Sequence, residues 1–74
     1  MKYTKEELAE MAQEWAAIAK ETLEIEQVDV ALYAKCSSET GALRLFYYFR
    51  KKAADNEVIF SQNIGAWYFR TPTY

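Results

Sequence analysis

Ala42-Leu43-Arg44-Leu45-Phe46-Tyr47-Tyr48-Phe49-Arg50-Lys51 is the stretch whose reading decides the fold of this 74-residue chain. Taken with a period of two, Leu43, Leu45, Tyr47 and Phe49 fall on one side and Arg44, Phe46, Tyr48 and Arg50 on the other. The first set suits a core. The second mixes aromatic rings with guanidinium groups, unlike an ordinary solvated face. A helix over Ala42–Asp55, capped by Ser37 or Ser38 and ending at Lys51-Lys52, is the alternative. The strand is preferred because the five apolar or aromatic residues from Leu45 to Phe49 wrap most of the way round a helix, yet sort cleanly across a strand.

Upstream, Val28, Val30, Leu32, Ala34 and Cys36 alternate with Asp29, Ala31, Tyr33 and Lys35, the pattern of a half-buried strand over about 27–36. Ser37 to Gly41 supplies a turn in which Gly41 can take a positive φ, so the two strands read as a hairpin. Further upstream lies a helix from about Lys5 to Leu23 or Glu24. Thr4 is its N-cap, Glu7 completes a capping box, and Tyr3 can staple onto Leu8. Its apolar stripe runs Leu8, Met11, Trp15, Ile18, Thr22, Ile25, flanked by alanines.

Downstream, Lys52 to Asn56 reads as a turn or short helical loop, and residues 57–61 and 66–70 as two more strands around an Asn63-Ile64-Gly65 turn. Thr71-Pro72 ends the ladder, because Pro lacks a donor. The expected fold class is therefore α+β: one long N-terminal helix packed on one face of a three- to four-stranded antiparallel sheet, in a single domain over residues 1–74. The helix is expected to meet Val28, Val30, Leu32, Leu43, Leu45, Phe49 and Trp67, leaving the other sheet face open.

Composition narrows the function. A chain this short buries only about 60% of the surface its unfolded form exposes, which argues against a deep enzyme cleft. Aromatic residues make up 16%, more than one small core easily encloses, so some should face solvent or a partner. There is no His and a single Cys, which rules out a disulfide framework within one chain and the usual zinc and Cys/His nucleophile sites. Cys36 reads as a small buried hydrophobe. No metal or cofactor is expected. No apolar run approaches the roughly 20 residues that span a bilayer, so no membrane association is expected and the chain reads as cytoplasmic.

Charge is two-sided. Residues 1–30 carry eight acids against three lysines, −5, and residues 31–74 carry six cations against three acids, +3. Two candidate surfaces follow. One is the sheet face bearing Tyr33, Lys35, Arg44, Phe46, Tyr48, Arg50, Tyr68 and Arg70, where rings beside cations suit a protein interface or the stacking of unpaired bases. The other is an acidic helix face, Glu7, Glu10, Glu14, Glu21 and Glu24, able to imitate phosphates before a basic surface. Paired acids on an exposed helix lack the water-poor cleft that acid–base catalysis needs, and no Gly-rich phosphate loop accompanies them. The chain thus reads as a non-catalytic interaction protein: a small acidic inhibitor or adaptor, of the kind viruses also encode, binding a protein partner, with nucleic-acid machinery among the candidates. A single-stranded nucleic-acid-binding module is the alternative, and self-association as a homodimer through either surface stays open.

Overall fold

Helix α1 (Lys5–Ala19) begins where its cap is written: the Thr4 side chain accepts from the Glu7 backbone N–H, and the Glu7 carboxylate accepts from the Thr4 N–H, both at 3.1 Å. These details come from a computed structural model describing residues 2–51 and 55–73. Lys20, with φ of 59°, ends the helix, and the Glu21 N–H donates to the Ala16 carbonyl at 3.1 Å, the six-to-one bond of a Schellman motif. Helix α1 therefore stops earlier than its stripe suggested. Thr22 and Ile25 fit a helical spacing, but Leu23 and Ile25 also alternate, and from Glu24 the chain is extended.

Four strands follow: β1 (Glu24–Val28), β2 (Ala31–Cys36), β3 (Glu57–Ser61) and β4 (Ala66–Pro72), with helix α2 (Glu39–Phe49) between β2 and β3. The sheet is open and antiparallel, in the order β1-β2-β4-β3. The single strand expected over 27–36 is instead the close of a hairpin. Asp29, at φ 53°, takes the left-handed position of its turn, and Val28 and Val30 lie 45% and 54% exposed rather than against α1. The Asn63-Ile64-Gly65 turn is present, with Gly65 at φ 69°. Pro72 closes β4, two residues beyond the expected limit. Of the turn expected over Lys52–Asn56, residues 52–54 lie outside the described residues.

The strand expected over Ala42–Lys51 is not formed; most of it is α2. Ser38 caps the helix by accepting from the Gly41 N–H at 3.2 Å. Ala42, Leu45, Phe46 and Phe49 then occupy i, i+3, i+4 and i+7, an inward stripe that the run of neighbouring rings disguises. Tyr47 is left 57% exposed. Gly41 takes no positive φ and lies inside the helix, where the Glu21 carboxylate fills the space a Cβ would need.

Both helices pack on the same face of the sheet. Trp15 and Ala19 of α1 and Ala42 and Leu45 of α2 meet Leu32, Ala34 and Cys36 of β2 and Phe69 of β4. Phe69 is fully buried at the centre, its ring 5.3 Å from Trp15 and 5.9 Å from Phe49.

Candidate functional site

The period-two alternation that turns Leu32, Ala34, Cys36, Trp67 and Phe69 toward the helices turns Tyr33, Lys35, Tyr68 and Arg70 the other way. Two rows cross that opposite face in register: Glu24–Lys35–Tyr68–Ile59 and Glu26–Tyr33–Arg70–Glu57. Carboxylates stand on both edge strands, with rings and cations between them. No second layer covers this face among the described residues, since both helices lie on the other side.

The middle of the face is ordered by Arg70. Its Nε donates to the Tyr33 hydroxyl at 3.2 Å, its guanidinium lies 5.9 Å from the centre of the Tyr33 ring, and an Nη is 3.6 Å from Glu57 Oε1. Tyr33 and Tyr68 meet edge to face, 6.4 Å apart. Beside them a hollow of about 230 Å³ opens between Val28, Tyr33, Ile59, Ile64 and Tyr68, with Glu26 in its wall. A second hollow of about 270 Å³ adjoins it, lined by Glu24, Glu26, Lys35 and Tyr68. Tyr68 and Glu26 border both. Among the described residues Glu26 takes part in no ion pair.

Half of the ring-and-cation set expected here lies elsewhere, because Arg44, Phe46, Tyr48 and Arg50 ride on α2. Arg44 Nη1 donates to the Ala19 carbonyl at 3.2 Å and closes the end of α1. Phe46 packs against the core, edge to face with Tyr47. Arg50 lies over the Tyr47 ring at 5.4 Å, and Tyr48 is exposed beside Phe49.

The acidic row is broken as well. Glu7 belongs to the capping box. Glu21 Oε1 accepts from the Ser37 N–H at 2.7 Å, and Oε2 accepts from the Ser38 hydroxyl at 3.3 Å, so this carboxylate serves the start of α2. Glu24 sits on β1. Only Glu10 and Glu14 of that set remain presented on α1, and Glu14 borders a groove of about 350 Å³ with Tyr3, Trp15, Tyr48 and Pro72. Val28, Glu26, Ile59 and Ile64 belong to the candidate site although the sequence reading omitted them. The alternation of Glu57, Ile59 and Ser61 against Val58 and Phe60 was the signal for Ile59, and the register against Arg70 fixes its face.

Cys36 is buried, its Sγ donating to the Ala34 carbonyl at 3.5 Å. Burial first, and the nearby Glu21 charge second, push the thiol up to about 11, which keeps it protonated at neutral pH. No group of three or more His, Cys, Asp or Glu is placed to hold a metal among the described residues, and none of their helices is long and apolar enough to cross a membrane. Comparison with protein-family models, curated proteins and solved structures returns no significant match.

Proposed function

We propose that this chain is a non-catalytic interaction protein that seats a protein partner on the open face of its sheet. One observation carries the reading: Tyr33, Tyr68 and Ile59 form an ordered aromatic and aliphatic surface, with Ile64 59% exposed beside it, and no second layer lies over them among the described residues. Tyr and Arg are the residues that dominate protein interfaces, and Tyr33 with Arg70 is held in place before any partner arrives. Inhibitors and adaptors both work by occupying a partner's surface, and either role suits such a face.

Single-stranded nucleic acid is the second reading, favoured by the Tyr33–Tyr68 pair as a stacking platform. It ranks lower because the face offers Lys35 and Arg70 among Glu24, Glu26 and Glu57, while Arg44 and Arg50 are on α2. Affinity capture from the native host, with Tyr68→Glu and with Glu10→Lys/Glu14→Lys as paired variants, tests the assignment. A protein retained by the wild type and the α1 variant but lost with Tyr68→Glu supports it. Retention that survives Tyr68→Glu, with the variant's circular dichroism unchanged, overturns it.

A further inference from the structure

We infer that the occupant of the open face is a basic amphipathic helix of the partner protein. Its apolar stripe fills the hollow between Val28, Tyr33, Ile59, Ile64 and Tyr68, and its flanking Lys or Arg side chains meet Glu26 on β1. The inference rests on the docking role proposed above for that face.

The direction of the hollow is the first argument. It runs diagonally over the face, from Val28 beside the β1–β2 turn to Ile64 in the β3–β4 turn at the opposite end of the strands. An added strand would pair alongside an edge instead. Four strands span about 14 Å from first to last, a distance covered by about ten residues of helix. A helix laid there completes a three-layer arrangement, the mirror of α1 and α2 on the other face.

Charge selects the helix. Glu26 lines the apolar hollow and takes part in no ion pair among the described residues, and with Glu24 it borders the adjoining one. Lys35 and Arg70 occupy the middle strands, and Arg70 is engaged with Tyr33 and Glu57. Lys35 stands beside Glu24 in register, so Glu26 is the β1 acid that asks for a cation from outside.

The same charges argue against a second copy of this chain. Stacking two such faces about a two-fold axis along the strands sets β1 over β3, with Glu26 facing Glu57. An axis across the strands sets β1 over β1, and like charges again oppose.

The test uses two synthetic helices of about 18 residues with identical leucine stripes, one flanked by lysine and one by glutamate. Each is titrated into the isotopically labelled chain while backbone amide shifts are followed. The lysine-flanked helix should bind at least about tenfold tighter, with shifts centred on Tyr33, Lys35, Tyr68 and Arg70. Glu24→Lys/Glu26→Lys should erase or invert that preference, and Tyr68→Glu should remove binding to both helices. Equal affinities, no binding, or shifts confined to α1 overturn the inference. If Tyr68-dependent capture of a host protein persists in that event, the face remains a docking surface and only the basic helix is lost. If that capture fails too, both fall. A dimer in sedimentation that Tyr68→Glu dissociates assigns the face to a second copy and overturns the helix.

Discussion

The carboxylate of Glu21 stands where a β-carbon on Gly41 would be, and from there it accepts the Ser37 N–H at 2.7 Å. In the other direction, Arg44 of α2 donates to the Ala19 carbonyl at 3.2 Å. The segment just past α1 thus supplies an acid to the N-terminus of α2, and α2 supplies a cation to the C-terminus of α1, as the helix dipoles favour.

Gly41→Ala should gain less than the about 0.5–1 kcal/mol that alanine ordinarily brings to a helix. The added methyl group displaces the Glu21 carboxylate from its contacts with Ser37 and Ser38. In a Glu21→Ala background the same change should recover the full gain of about 0.5–1 kcal/mol. Chemical denaturation of the four proteins in the cycle checks it; equal Gly41→Ala effects in both backgrounds refute the coupling.

Arg44→Ala should lower stability by about 0.5–1 kcal/mol through loss of the contact at Ala19. In a domain this size that is a drop of roughly 4–8 °C in Tm per kcal/mol. The difference from wild type should shrink in high salt if charge carries part of it.

Neighbours on β4 should separate stability from binding. Phe69→Ala removes the ring at the centre of the core and should cost about 3–5 kcal/mol, enough to unfold much of a domain this small. Tyr68→Ala should cost far less and leave circular dichroism intact, while abolishing retention of the partner protein. Equal losses of stability from the two would contradict the assignment of faces.

Cys36 should impose an alkaline limit. Its thiol rises from 9.0 to about 11 on folding, so the folded chain holds the proton more tightly than the unfolded one. The resulting stability is complete below pH 9.0 and is lost as pH climbs toward about 11. Urea midpoints of wild type and Cys36→Ala should therefore converge across that window.

Local chemistry was legible in the sequence wherever cause and effect are neighbours. Thr4 and Glu7 announce the start of α1 three residues apart, the alternation through Leu32, Ala34 and Cys36 fixes the faces of β2, and Gly65 marks its turn. The identity of 42–51 was not legible, because what stabilises α2 comes from far away. Besides Glu39 in its first turn, it leans on Glu21, sixteen residues upstream of the Ser37 that this carboxylate holds, and its inward stripe packs against Trp15 and Phe69. That one misreading moved Arg44, Phe46, Tyr48 and Arg50 off the sheet, while Tyr33, Tyr68 and Arg70 kept their expected face because the alternation within 32–36 and 66–70 holds even though the bounds of both strands differ. The end of α1 was hidden for a different reason: Lys20 adopts a left-handed conformation usually left to glycine.

Strand order has a consequence for biosynthesis. β4 comes last along the chain yet lies between β2 and β3, and it brings Phe69 with it. A nascent polypeptide cannot knit its two hairpins together until β4 is free to pair with β2. Before then β2 shows a bare edge and the helices lack their central ring, so folding should arrive in one step that waits for β4 rather than element by element.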